Sequence, residues 1–424
     1  MTAHDTFRQL VKKKGTGKTM SKHLLPDEIS FALNHLNTPS IPLAMKATLL
    51  TAWQMLDATR DEAHALNAIQ NNPTNYLPND LLYLVNHEHC AWFDQHIAPT
   101  MKGNGLTTKA FTQCLTDIHD NRVPEHKAAA LFEALRLKEE TREENCAAYD
   151  FFKLKAANKP IDCPVVIDIA SAYDGFNRHY CLLPFLAALL ASVGLPCVLH
   201  GAHETSPKNG MNTHKLLVQA GKNPVKPLND VANGMMAPNI GWGYVDQSVF
   251  CPALHELMPM RLAMVKRPLL STIEKWLRPI SGKRTACITG FTHPPYKQKT
   301  LDIIQHAQVF DDLILVRGVE GSSLLPMDRR TPFIISHDHK APNVGFLAPD
   351  HLGMVAHELD NQDPNGSLTA GIDALSGKNQ PLANFLCYQC LAIGHGIGMD
   401  LTSMNLALHH AISNGKALAH WKHY

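Results

Sequence analysis

Residues 180–199 run for twenty positions without a charge, and what this stretch becomes decides the fold class. Its length suits a membrane span. Pro184, Gly194 and Pro196 interrupt it, however, and such breaks suit a buried helix followed by a buried strand. Upstream, Pro164-Val-Val-Ile-Asp-Ile-Ala170 is a short β-branched run, the pattern of a strand covered on both faces in a parallel sheet. A loop follows, Ser171-Ala-Tyr-Asp-Gly-Phe-Asn-Arg178, then an apolar helix over about 179–193 and the strand Pro196-Cys-Val-Leu-His200-Gly201. This is a βαβ unit. Its loop joins a strand's C-terminal end to a helix's N-terminal end, where open α/β sheets bind ligands and free N–H groups attract phosphate. Residues 285–289, 312–316 and 332–335 are further strand candidates, and 381–421 reads as two helices. The expectation is an α/β body over 161–424 with no membrane span.

The front of the chain, 1–160, has a different rhythm. Apolar residues recur at three- and four-residue spacing, as in amphipathic helices. Sliding the sequence so that Ile41-Pro42 falls on Val123-Pro124 brings Leu49-Leu50 onto Leu131-Phe132, and Thr59-Arg60-Asp61-Glu62 onto Thr141-Arg142-Glu143-Glu144. No gap is needed. The repeat covers about 24–70 and 106–152. Each copy carries a proline where a helix starts and a Thr-x-x-Glu capping box before the next helix. Two apolar-faced helical hairpins suit a packed bundle or a homodimer surface. The stretch 71–105, rich in Asn, Pro and His, reads as a connecting excursion.

Several motifs point to chemistry that their context does not support. Gly15-Thr-Gly-Lys-Thr19 looks like half of a nucleotide P-loop, but Lys12 stands where the first glycine belongs and a helix is expected where a strand is required. Cys387-Tyr-Gln-Cys390 lies in an apolar helical stretch with no second pair, so core cysteines are the better reading. His87-x-His89 and His337-Asp-His339 lack third and fourth ligands at zinc spacing. The formal charge of +1 gives no global attraction to nucleic acid or an acidic membrane. The scattered cysteines and the polar, basic start lead to the expectation of a cytoplasmic protein with free thiols.

The order of strand, Asp174-Gly175 loop, helix, Gly-Leu-Pro-Cys-Val-Leu-His200-Gly201 and Lys208-x-Gly210 resembles the anthranilate phosphoribosyltransferases, a family of glycosyltransferases. Met258-Pro-Met-Arg261 is similar to that family's Pro-Val-Arg segment. The run Ala411-Ile-Ser-Asn-Gly-Lys-Ala-Leu418 looks like its closing helix. The resemblance spans roughly 106–424, and the front repeat copies the family's N-terminal helices a second time. It implies a nucleoside phosphorylase/phosphoribosyltransferase-like α/β domain behind a helical domain, working as a homodimer.

The resemblance also implies a chemistry whose parts are altered here. Transfer of ribose 5-phosphate from phosphoribosyl pyrophosphate needs a phosphate-cradling backbone, a divalent metal and an acceptor pocket. The family's Gly-Thr-Gly-Gly-Asp becomes Ala170-Ser171-Ala172-Tyr173-Asp174. Its metal-binding Leu-Asp-Glu becomes Ser322-Ser323-Leu324, so the usual acidic ligands of magnesium are missing. What remains implied is a phosphate or ribose site at Asp174, Gly175, Asn177, Arg178, His200, Gly201, Lys208 and Gly210. An acceptor side is implied at Arg261, Lys266 and Arg267. Two functions follow. One is a pentosyltransferase-class enzyme that takes phosphoribosyl pyrophosphate or a nucleotide-type ligand, with an acceptor other than anthranilate. The other is a non-catalytic nucleic-acid-binding protein on the same fold.

Overall fold

The computed structural model describes the whole chain except Met1, Lys18, Thr19, residues 87–91, Ala172, Asp360 and Asn361, together with the side chains of Pro294 and Pro295. The His87-x-His89 pair and the end of the Gly15–Thr19 motif therefore lie outside the described residues. The rest forms two compact units, Met1–Phe151 with Glu256–Ile273, and Phe152–His255 with Glu274–Tyr424. The segment around Arg261 and Lys266 thus belongs to the helical unit, although the sequence places it inside the α/β body.

The helical unit opens with α1 (Ala3–Lys13) and then shows the repeat as two three-helix sets. They are α2 (Pro26–His35), α3 (Leu43–Met55) and α4 (Arg60–Asn71), and α5 (Thr108–His119), α6 (Glu125–Lys138) and α7 (Arg142–Lys155). Each helix of the second set starts where the gapless alignment puts it. Pro42 and Pro124 are the N-caps of α3 and α6. The middle helices are the core. Every residue from Ala44 to Trp53 is buried, and α3 packs against α6 more extensively than any other two elements pack. Helix Met258–Met264 rests on both. The apolar faces of α3 and α6 are thus packed on one another inside one chain.

The second capping element of each copy is a buried glutamate. Glu62 accepts the N–H of Thr59 at 2.9 Å and of Leu24 at 2.9 Å, and Lys14 Nζ donates to it at 2.8 Å. Glu144 accepts the N–H of Thr141 at 2.8 Å and of Leu106 at 2.8 Å, with Lys138 Nζ at 2.6 Å. Neither carboxylate is exposed.

The second unit is built on a seven-stranded sheet: β1 (Val165–Ala170), β2 (Cys197–Gly201), β3 (Trp242–Asp246), β4 (Arg284–Gly290), β5 (Asp312–Val316), β6 (Thr331–His337) and β7 (Asn343–Leu347). The spatial order is β3-β2-β1-β4-β5-β6-β7. The first five are parallel, and β6 and β7 join antiparallel. Strand order reverses between β1 and β4, which makes the loops at their C-terminal ends the natural ligand crevice. The sequence reading missed β3 and β7. Trp242-Gly-Tyr-Val-Asp246 is buried throughout but is too short and mixed to stand out, and β7 is a largely exposed edge.

The uncharged stretch folds as α8 (Leu183–Ser192) and β2, both buried. No helix among the described residues is long and apolar enough to cross a membrane. The helix starts four residues later than expected because Pro184 sits in its first turn. The C-terminal segment forms three helices rather than two, Gln380–Gly396, Leu401–Ser413 and Lys416–His423. The expected closing helix over 411–418 is broken at Gly415, whose φ of 79° interrupts it. Cys387 and Cys390 are fully buried within the first of the three.

Candidate ligand site

The loop from β1 to α8 is zipped to the loop after β2. Phe176 and Met211 exchange backbone hydrogen bonds at 2.8 and 2.9 Å, and the Gly210 N–H reaches the Asp174 carbonyl at 2.8 Å. Gly175, at φ 75°, faces the carbonyls of Gly210 and Met211, and a Cβ on either Gly175 or Gly210 would collide with backbone. These two glycines serve loop-to-loop contact, where only a hydrogen fits.

Beyond Phe176 the chain exposes five consecutive N–H groups, and each is taken by a side chain from the last third of the sequence. Glu320 accepts from Asn177 at 3.2 Å, Arg178 at 3.0 Å and His179 at 3.2 Å, and His179 Nδ1 stands 3.0 Å from the same carboxylate. Gln362 accepts from Tyr180 at 3.1 Å and Ser367 from Cys181 at 2.8 Å. The N–H groups at which a phosphate was expected are thus occupied by the protein's own carboxylate. Lys208 Nζ lies between Glu320 Oε2 at 3.5 Å and Asp174 Oδ1 at 3.7 Å and donates to the Glu320 carbonyl at 3.2 Å. Burial alone would raise the Glu320 pKa. The His179 bond, the Arg178 and Asn177 N–H groups and Lys208 outweigh it and hold the pKa at about 2.

A cavity of about 430 Å³ opens beside this carboxylate. Arg178, His179 and Tyr180 line it from the β1 loop, Glu320 from the β5 loop, and Arg329 and His357 from later segments. That is within the size range of small-molecule sites. His200 and Gly201 line a separate cavity of about 20 Å³, room for a single water. There His200 Nε2 is 3.1 Å from Asp168, its Nδ1 meets the Tyr173 hydroxyl, and all three side chains are buried.

Arg261 and Lys266 are occupied within the helical unit. Arg261 is fully buried and donates to Ser271 Oγ at 3.1 Å. Lys266 Nζ donates to the carbonyls of Val11 and Lys14, and burial pulls its pKa down to about 7. Arg267 is half-buried in the same unit.

Magnesium does not fit the segment aligned with the family's acidic metal motif. Ser322, Ser323 and Leu324 are buried in a turn where Ser322 Oγ donates to the Val319 carbonyl at 2.7 Å and Val319 N–H reaches Leu324 at 2.8 Å. Among the described residues no group of three or more His, Cys, Asp or Glu could hold a metal ion. His337 is engaged with Asp312 at 2.8 Å.

The sequence reading missed Glu320, Gln362 and Ser367. What marks Glu320 is visible only in the fold: its φ of 51° is a conformation uncommon for a residue with a side chain.

No protein-family model matches the chain. It is 24% identical over 237 residues to an uncharacterized protein of Aquifex aeolicus, covering 56% of this chain and 69% of that one. It is 23% identical over 265 residues to the anthranilate phosphoribosyltransferase of Brevibacillus brevis, covering 61% and 73%. Among solved structures, the anthranilate phosphoribosyltransferase of Saccharomyces cerevisiae in complex with PRPP and Mg superposes with a TM-score of 0.64 at 14% identity, over 80% of this chain and 98% of that one.

Proposed function

The chain is a divergent protein with the anthranilate phosphoribosyltransferase fold, and on that premise we propose that it binds a phosphorylated ribose or nucleotide-type ligand without transferring phosphoribose to anthranilate. The observation that carries the reading is the 430 Å³ cavity at the switch-point loops, with Arg178 and Arg329 on its wall. Both arginines are exposed, so a phosphate can reach them and take charge-assisted hydrogen bonds. The yeast enzyme of the same fold is seen with PRPP, which supports a ribose phosphate as the ligand class. Against anthranilate transfer stand the buried serines that replace both metal carboxylates, and Lys266, whose Nζ is taken by the Val11 and Lys14 carbonyls. Any transfer to another acceptor belongs to the pentosyltransferase class.

Calorimetry with phosphoribosyl pyrophosphate, a nucleoside monophosphate and short single-stranded DNA tests this. The ribose phosphates bind, and Arg178→Ala with Arg329→Ala weakens them a hundredfold or more, given about 1.5–3 kcal/mol for each charge-assisted bond. Binding of DNA alone, or equal binding by the double variant, ends the reading.

A further inference from the structure

The residues around Glu320 make a complete anion site whose occupant is part of the chain. Three backbone N–H groups, His179 Nδ1 and Lys208 converge on one carboxylate from segments more than a hundred positions away. A carboxylate and the terminal oxygens of a phosphate ask for the same donors: charged groups and N–H vectors aimed at one point. The 430 Å³ cavity adjoins this point and would take whatever is esterified to the phosphate. We propose that the Asn177–His179 loop with Lys208 is a phosphate-monoester site held shut by Glu320, which acts as an internal competitor for it. This rests on the reading above in placing a phosphorylated ligand in the cleft.

The turn itself is pinned. Added Cβ atoms at Gly290 and Gly318 would both run into the Ser322 carbonyl, so these backbones are in close contact and have little room to slide. The site therefore opens by rotation of the Glu320 side chain, while the loop that supplies the N–H groups keeps its zipper to Gly210 and Met211. Asn177 and Arg178 are exposed, Arg178 at the cavity wall, and water can cover their N–H groups during the exchange.

The test uses inorganic phosphate, which is too small to need the ribose cavity. In the full chain, Glu320→Ala binds phosphate at least about tenfold more tightly than the unaltered protein, since a strong competing acceptor is gone. Adding Lys208→Ala reverses the gain. Glu320→Gln, which keeps the shape and loses the charge, gains less than Glu320→Ala, and thermal melting shows which variants are folded. Equal phosphate affinity in the unaltered protein and in both folded variants overturns the proposal. So does a gain that survives Lys208→Ala. Phosphoribosyl pyrophosphate affinity separates this from the function above. A phosphate gain with no ribose-phosphate binding keeps the latch and removes the ribose ligand. Ribose-phosphate binding that Glu320→Ala leaves unchanged does the reverse.

Discussion

Glu62 and Glu144 in the helical unit and Glu320 in the α/β unit do one job, gathering backbone N–H groups and a lysine onto a buried carboxylate. They differ in where the donors come from. Glu62 takes one N–H from three residues back and one from Leu24, and Glu144 takes the equivalent pair. These close a helix start within one repeat. Glu320 instead serves a loop about 140 positions away that borders an open cavity. In the first, Lys14 and Glu62 are both essentially unexposed, and only the His23 ring at 2.9 Å from the carboxylate reaches solvent. The second has exposed donors on one side. Similar hydrogen bonds thus hold a fold together in one unit and guard a site in the other.

The largest effect that would test this contrast is on stability. Glu62→Ala strands the buried Lys14 charge and two N–H groups, so it should cost about 3–5 kcal/mol, roughly 10 °C of melting temperature. Glu320→Ala should cost about 1 kcal/mol, because water reaches the donors it leaves. Equal losses in thermal melting would erase the distinction.

A smaller effect appears with pH. Glu62 and Glu320 are both held at about 2 against ordinary values near 4.5. For Glu62 the Leu24 N–H and Lys14 overcome the burial that would raise it. A lowered carboxylate stabilises fully above its unfolded value and loses that contribution as pH falls through the folded one. Melting temperature should thus fall between about pH 4.5 and 2, less steeply in Glu320→Ala. Lys266 runs the other way: with its folded value near 7 and its usual value at 10.5, the unfolded chain binds more protons between them, and its contribution grows as pH rises. An acid limb with the same slope in Glu320→Ala would show that Glu320 has no share in it.

The smallest effect concerns the copies themselves. Thr59→Ala and Thr141→Ala each remove the hydroxyl that accepts the N–H three residues on, at 3.2 Å in both, and each should cost about 1 kcal/mol. Costs that differ by more than a few tenths in chemical denaturation would break the equivalence of the repeats.

The same contrast explains what the sequence could show. Thr59-x-x-Glu62 and its copy are local patterns, so the helix starts were readable from Thr and Glu alone. The strands β1 and β2 and the buried cysteines followed from short, mostly apolar runs, broken in β1 only by Asp168. Glu320 was not readable as a site residue, because its partners are fixed by tertiary folding and no spacing rule links position 320 to position 178. Lys266 misled for a related reason. Its charge suggested an exposed acceptor side, and only the fold shows it bonded to the Val11 and Lys14 carbonyls.

Segment Glu256–Ile273 returns to a unit otherwise finished at Phe151, and this imposes an order on synthesis. About a hundred residues must be made between the two, on the order of 5–20 s at ordinary elongation rates. Throughout that interval the carbonyls of Val11 and Lys14 wait for a lysine still unmade, and α3 and α6 lack the helix that rests on both. The part of the chain that leaves the ribosome first thus cannot finish as it leaves. A nascent helical lobe stays incomplete, with apolar surface open to passing chaperones, until about two fifths of the α/β body has been made.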